Sequence, residues 1–178
     1  MKEKKFLIVV DMQKDFIDGS LGTKEARAIV PAAAARIRAC REDGWEVIAT
    51  LDTHGEGYLS SSEGRKLPVV HCVKGTPGWE LDPAVKDALG DSVTLEKPTF
   101  GSVELPGIIA GKVSEGDRVV ISLLGLCTDI CVVSNALLLK ANFPEAEISV
   151  AADLCAGVTP EKHLAALETM RSCQIDII

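Results

Sequence analysis

The sequence predicts an α/β fold in which helices cover both faces of a mainly parallel six-stranded sheet. Short apolar runs alternate with helical patterns along the whole chain, and these runs are rich in Val, Ile and Leu on both faces. Strands that alternate with helices are joined by crossovers and therefore pair in parallel. Because the 178 residues contain no repeat or linker, we expect a single domain over residues 1–178.

The predicted elements follow one another along the chain. The expected strands are 5–10, 47–51, 93–96, 118–124, 147–151 and 174–178, and the expected helices are 29–43, 83–89, 105–111, 129–141 and 160–172. Gly44 ends the first helix, and Thr159, Pro160 and Glu161 supply the N-cap, first-turn proline and first-turn acid of the last. Helix 129–141 has almost no polar face, which predicts deep burial or a subunit contact.

Two loops, 12–26 and 52–81, are long for a compact domain, and loops of that size are usually functional. Both follow the carboxyl end of a strand, where open parallel sheets place their ligand crevice. We therefore expect the functional residues to gather at this edge of the sheet.

Composition narrows the function classes. The net charge of -7 argues against nucleic acid or an anionic membrane as the main partner. The apolar run 6–10 is too short for a signal peptide and meets Asp11 at once, and no segment approaches membrane-spanning length, so a cytoplasmic location is expected. The six cysteines form no Cys-x-x-Cys pair and are interpreted as free thiols.

A cysteine follows the fourth strand in the first turn of a predicted helix. Thr128 is a suitable N-cap, which places Asp129 at N1 and Cys131 at N3. Free N–H groups and the helix dipole at that end predict a thiol shifted toward the nucleophilic thiolate. The alternative is a buried cysteine that only packs.

Two further strand ends carry charge. Asp11 ends the first strand and could relay the thiol's proton, or simply cap a turn. Lys97 ends the third strand, where Pro98 keeps it extended and aims its side chain; the alternative is an ordinary surface lysine. An acid, a cation and a nucleophile that meet at one crevice can together catalyse hydrolysis.

The second long loop carries a candidate metal site. Asp52 and His54, two apart in an extended segment, project the same way, and His71 could supply a third ligand. Two imidazoles and a carboxylate suit zinc, iron or manganese, and Glu63 could complete the set. The alternative is a group of loop hydrogen bonds. The third histidine, His163, is expected to be solvated or to pack.

Five segments of the chain carry a resemblance to a known family. They are 7–16 (LIVVDMQKDF), 52–54 (DTH), 71–78 (HCVKGTPG), 96–100 (EKPTF) and 125–131 (GLCTDIC). Together they resemble the isochorismatase-like cysteine hydrolases, most closely the nicotinamidase/pyrazinamidase branch.

The resemblance implies a three-layer Rossmann-like sandwich that assembles as a homo-oligomer, a dimer or tetramer. It implies a catalytic triad of Asp11, Lys97 and Cys131, and a divalent metal ion, zinc before iron or manganese. The implied ligands are Asp52, His54 and His71, with Glu63 as the nearest acidic match for a fourth.

The resemblance also implies a cis peptide bond between Leu126 and Cys127, so that the backbone N–H groups of Cys127 and Cys131 form an oxyanion hole. The implied reaction is hydrolysis of a small-molecule amide, nicotinamide to nicotinate and ammonia, through a thioester.

One departure concerns the substrate pocket. Members of the branch often place an aromatic residue shortly before the second metal histidine, whereas residues 66–70 here contain none. Phe16 and Phe100, with Tyr58 as a further candidate, remain as ring contacts. Two other functions therefore stay open: hydrolysis of an N-carbamoyl or ureido substrate, and a redox or metal-binding protein with a reversible Cys127–Cys131 disulfide.

Overall fold

The computed structural model describes residues 2–178. Its strands are β1 (Glu3–Val10), β2 (Glu46–Asp52), β3 (Val93–Lys97), β4 (Arg118–Leu126), β5 (Glu147–Ala156) and β6 (Asp176–Ile177). They form one sheet in the order β3-β2-β1-β4-β5-β6, and every neighbouring pair is parallel. The prediction of a six-stranded parallel sheet is confirmed.

The helices connect successive strands. They are α1 (Lys14–Ile17), α2 (Lys24–Glu42), α3 (Ser62–Lys66), α4 (Pro83–Leu89), α5 (Leu105–Ala110), α6 (Val133–Asn142) and α7 (Pro160–Ser172). Short 3₁₀ turns lie at Tyr58–Ser60 and Pro77–Trp79, and a π-helical turn, Thr128–Val132, precedes α6. Among residues 2–178, no helix combines the length and the apolarity that crossing a membrane requires.

Alternate residues of each strand face opposite layers. Leu7 and Val9 of β1 pack in a cluster with residues of α2 and α4. Phe6, Ile8 and Val10 pack on the other face with residues of α5, α6 and α7. The predicted three-layer arrangement is therefore confirmed.

Helix α2 begins five residues before the predicted start. Thr23 caps it, because its hydroxyl accepts from the N–H of Ala26 at 3.0 Å. Pro31 lies inside the helix, so a proline here does not mark its beginning.

The two long loops are also shorter than expected, since they contain α1, α3 and the two 3₁₀ turns.

The prediction that Thr128 is an N-cap was wrong. The residue at the N-cap position is Cys127, whose carbonyl accepts from the N–H groups of Ile130 and Val132 at 3.0 and 3.1 Å. The Thr128 side chain lies 2.8 Å from Nδ1 of His163 on α7. It therefore ties two elements together, and the assignments of Asp129 to N1 and Cys131 to N3 do not hold.

The order of the strands positions the site. From β1 the chain crosses to β2 on one side, whereas β4 lies on the other side of β1. Open parallel sheets have their crevice where the order reverses in this way, outside the carboxyl ends of the strands. The ends of β1, β2, β3 and β4 meet there.

Candidate active site

The four strand ends bring together the residues that the sequence singled out. Asp11 directly follows β1, Asp52 ends β2, Lys97 ends β3, and Cys131 lies in the turn after β4. All four are buried, with at most 4% of each residue exposed. Charged groups at such depth require partners.

Lys97 is the centre of this group. Its ammonium Nζ lies 2.7 Å from Oδ2 of Asp11, 3.4 Å from Sγ of Cys131 and 3.6 Å from Oδ1 of Asp52. It also donates to the carbonyl of Thr99 at 3.1 Å. One cation thus contacts the acid, the thiol and a second carboxylate.

The protonation state of the Cys131 thiol differs from the one that the sequence predicted. Burial raises the pKa of Cys131 well above its usual range, and the Asp11 carboxylate raises it further against the opposing Lys97 charge. The expected shift toward thiolate was therefore wrong for the resting site. Burial also raises the pKa of Asp11, although Lys97 opposes the shift. Burial would lower the pKa of Lys97, but its anionic neighbours outweigh that effect and raise it.

Two supporting residues were missed in the sequence. Thr50 donates from Oγ1 to Oδ1 of Asp11 at 2.6 Å. Gln13 accepts from the backbone N–H of Asp52 at 2.8 Å and donates to its carbonyl at 2.9 Å and to that of Trp79 at 2.8 Å. Both are fully buried, and the available signal for Thr50 was that it is the one polar residue of the predicted strand 47–51.

Asp52, His54, Glu63 and His71 form a second cluster beside Lys97. Their ligand atoms all lie within 4.8 Å of one another. Nε2 of His54 and of His71 lie 3.0 and 3.5 Å from Oδ2 of Asp52, and 3.7 and 3.6 Å from Oε1 of Glu63. The structure therefore brings Glu63 to the other three.

These spacings fit a divalent metal ion. Four ligands about 2.1 Å from a tetrahedral ion are about 3.4 Å apart, close to the separations across this cluster. Nδ1 of His71 lies 2.7 Å from the carbonyl of Val69, which leaves Nε2 free to ligate. Burial opposes ionisation of Asp52, yet the neighbouring His54, His71 and Lys97 hold its pKa well below its usual range. The carboxylate is therefore ready to bind a cation.

A cavity of about 590 Å³ joins the two clusters. Phe16 and Phe100 lie on its wall, as does Cys131. Tyr58 does not line it; its ring lies 4.7 and 4.9 Å from those of His54 and His71, and its hydroxyl donates to Leu67. The Tyr58 ring therefore packs against the two histidines and not on the cavity wall. Apart from the two cysteines, the remaining apolar lining is aliphatic: Leu21, Leu67, Pro98, Ile130 and Val158.

The turn between β4 and the thiol has the expected conformation. The peptide bond Leu126–Cys127 is cis. The Cys127 N–H has no backbone acceptor within residues 2–178, and Cys127 lines the cavity together with Cys131. All six cysteines are free thiols.

Comparison with known proteins identifies the family. Residues 5–178 match the family profile described as Isochorismatase domain. The chain belongs to this family. Membership of this family is what the resemblance in the sequence implied.

Members of the family with stated activities are similar to this chain. The nicotinamidase/pyrazinamidase of Mycobacterium tuberculosis is 28% identical over 182 residues, 97% of each chain. The pyrazinamidase of Pyrococcus horikoshii, solved in complex with zinc, is 31% identical over 98% of each chain with a TM-score of 0.82. The N-carbamoylsarcosine amidase of Thermoplasma acidophilum is 26% identical, with a TM-score of 0.78 over 98% of this chain and 95% of that one.

Proposed function

We propose that this protein is a metal-assisted cysteine amidohydrolase that converts nicotinamide to nicotinate and ammonia. The observation that carries the proposal is that the buried Lys97 contacts both Asp11 and Cys131, and that Cys131 lines one cavity together with three of the four residues of the metal cluster. The similarity to the nicotinamidase/pyrazinamidase of M. tuberculosis supports the substrate. The proposed chemistry begins at the Cys131 thiol.

In the proposed mechanism Asp11 accepts the proton of Cys131 as its sulfur attacks the carboxamide carbon. The raised pKa of Asp11 favours this transfer, because a carboxylate with a higher pKa is a stronger base. Lys97 stabilises the negative charge on both groups throughout. Asp11 then gives its proton to the nitrogen of the tetrahedral intermediate, the C–N bond breaks to release ammonia, and a thioester remains.

Hydrolysis of the thioester repeats the proton path in reverse. Asp11 takes a proton from a water molecule, whose oxygen attacks the acyl carbon, and the proton returns to the Cys131 sulfur as the carboxylic acid leaves. The backbone N–H groups of Cys127 and Cys131 are the proposed donors to the oxyanion in both halves. One water is consumed and one ammonia released per turnover.

Asp52, His54, Glu63 and His71 are the residues that would hold the divalent ion, which we propose to be zinc, with iron or manganese as alternatives. When bound, it would supply a Lewis acid for the ring nitrogen of the substrate. The zinc complex of the P. horikoshii pyrazinamidase supports that choice. Phe16 and Phe100 then contact the ring from the cavity wall.

The experiment is an assay of ammonia release from nicotinamide, pyrazinamide, N-carbamoyl amino acids and ureido compounds. Cys131→Ala should lose several orders of magnitude in rate yet retain its metal, whereas His71→Ala should lose the metal first. The exposed Cys173 offers a matched control, because Cys173→Ala should keep full activity. Near-normal turnover by Cys131→Ala would contradict the mechanism.

A second candidate, hydrolysis of an N-carbamoyl amino acid, is favoured by one observation. Lys66 and Lys162 line the cavity, and their ammonium groups would attract a substrate carboxylate, which nicotinamide lacks. The similarity to N-carbamoylsarcosine amidase is consistent with it. Turnover of carbamoyl substrates by metal-free protein would select this candidate over the first.

We also propose that the protein acts as a homo-oligomer, a dimer or tetramer, on the basis of its family resemblance. Light scattering after size-exclusion chromatography measures the molar mass directly. Each chain contributes 18.9 kDa, so a dimer and a tetramer are easily distinguished from a single chain.

A further inference from the structure

Asn135 is a buried polar residue in the otherwise largely apolar helix α6, one turn after Cys131. It has no exposed surface, and both ends of its amide are engaged. Nδ2 donates to the carbonyl of Cys131 at 2.8 Å and to that of Phe100 at 3.2 Å, and Oδ1 accepts from the N–H of Ser102 at 2.9 Å. The side chain thus joins the thiol's backbone to the cavity wall.

The segment 98–102 depends on such anchors. The Phe100 side chain is 44% exposed, so packing alone does little to fix its ring against the cavity. The backbone instead approaches α6 closely at Gly101, where a Cβ would lie 3.3 Å from the carbonyl oxygen of Ser134. At the other end Lys97 holds the Thr99 carbonyl. Asn135 therefore fixes the half of the segment that carries Phe100.

Helix formation does not explain an asparagine at this position. Asn is a weaker helix former than Leu or Ala, and an apolar residue would pack in the core without needing partners. A buried amide is stable only when its donors and acceptor are satisfied, and here the segment 98–102 supplies two of the three bonds. Displacing the segment would leave the amide unsatisfied, so the segment has one favoured position.

We propose that Asn135 is a positioning residue that fixes the Phe100 wall relative to Cys131 and thereby makes the site selective for flat aromatic amides. The substrate named in this proposal rests on the proposed function. The connection between Asn135 and the segment 98–102 does not depend on it. Asn135 contacts no reacting atom. Its effect should therefore appear in substrate binding rather than in the chemical step.

The test uses Asn135→Leu, which keeps the number and branching of the side chain's heavy atoms and removes all three hydrogen bonds. With nicotinamide we expect KM to rise about tenfold while kcat changes less than about threefold, as expected for the loss of a binding contact. Phe100→Leu should raise KM similarly, and the double variant should be no worse than either single one, because both remove the same wall. Additive effects, or a fall in kcat at constant KM, would overturn the proposal.

A second readout does not depend on any substrate. Hydrogen–deuterium exchange followed by mass spectrometry should show at least about tenfold faster exchange for the peptide covering residues 98–104 in Asn135→Leu, because the Ser102 N–H loses its acceptor. Unchanged exchange there would overturn the proposal. If the wild type fails to hydrolyse nicotinamide, the proposed function is wrong, and the KM comparison is then made with the best substrate of the amide panel.

The same helix offers a matched control. Asn142 lies exposed at the end of α6 and donates from Nδ2 to the carbonyl of Leu138 at 2.8 Å, a bond to the fourth preceding residue like that of Asn135 to Cys131. Asn142→Leu should leave both KM and the exchange of residues 98–104 unchanged. A change as large as that of Asn135→Leu would assign the effect to the helix in general and contradict the proposal.

Discussion

The ammonium of Lys97 is the electrostatic link between the two halves of the site. It lies 2.7 Å from Asp11, in the proposed triad, and 3.6 Å from Asp52, in the metal cluster. Removing one partner of a buried ion pair leaves an uncompensated charge, which costs about 3–5 kcal/mol. The position of this single nitrogen therefore affects both the acid that moves the proton and the carboxylate that would bind the metal.

The hydrogen bond from Thr50 to Asp11 should set the acid limb of the pH profile. Asp11 must be ionised to accept the thiol's proton, so activity is present above its pKa and is lost as the pH falls through it. Because the Thr50 hydroxyl stabilises the carboxylate, it lowers a pKa that burial raises. Thr50→Val should therefore move the acid limb of kcat/KM upward by about one pH unit.

The control for this prediction is Thr94→Val on β3. Thr94 is exposed on a neighbouring strand, so its replacement should leave the acid limb in place. Both profiles are obtained from initial rates of ammonia release between about pH 4 and pH 8. A Thr50→Val profile that coincides with the wild type would mean that Asp11 is not the group whose ionisation limits the rate.

At the residue scale, the sequence predicted which side chains meet but not their protonation. Asp11, Lys97 and Cys131 each follow or end a strand, and parallel strands end at one edge, so their meeting could be inferred from the chain. The state of the Cys131 thiol could not, because it depends on burial and on a carboxylate more than a hundred residues away in the chain. The position of Cys131 relative to the helix start therefore did not predict the direction of its pKa shift.

At the scale of elements, apolar periodicity predicted every strand and the five longer helices. Helices α4 and α7 have the predicted bounds, since Pro83 and Pro160 mark their first turns. The short helices α1 and α3 were missed because four or five residues give no measurable periodicity. The π-helical turn before α6 was missed because its shape follows from packing against α7, where Thr128 contacts His163.

The end of β4 requires a glycine for two reasons. Gly125 has φ +124°, and a Cβ there would lie 2.1 Å from the carbonyl oxygen of Val10 on β1. Gly125→Ala should therefore destabilise the protein by at least about 2 kcal/mol, from backbone strain together with the clash between strands. The free energy of unfolding in urea measures the loss.

A substitution at Gly116 distinguishes the backbone strain from the clash between strands. It also has positive φ, +83°, but a Cβ there would meet nothing within 4 Å. Gly116→Ala should thus cost only the conformational part, about 1 kcal/mol. Equal losses for the two variants would show that the close approach of β4 to β1 contributes nothing.

At the scale of the whole molecule, the metal cluster lies in the longest connection between two strands, the one from β2 to β3. Asp52 and His54 lie at the end of β2, Glu63 on α3 and His71 beyond it, so one ion would bind residues from both ends and the middle of the loop 52–71. The Nε2 atoms of His54 and His71 lie within 3.7 Å of both the Asp52 and the Glu63 carboxylates, so all four side chains face one point. A bound cation should therefore stabilise this loop and, through it, the cavity wall.

Removal of the metal should lower the melting temperature of the protein. A ligand at a hundred times its Kd stabilises the folded state by about 2.7 kcal/mol, which for a chain of this size corresponds to a loss of about 5–10 °C on treatment with a chelator. His71→Ala removes a buried ligand and should melt at the same temperature with and without chelator. If the wild type showed no change while elemental analysis confirmed that its metal had gone, the ion would act on the substrate alone, and the loop 52–71 would be held by its own hydrogen bonds.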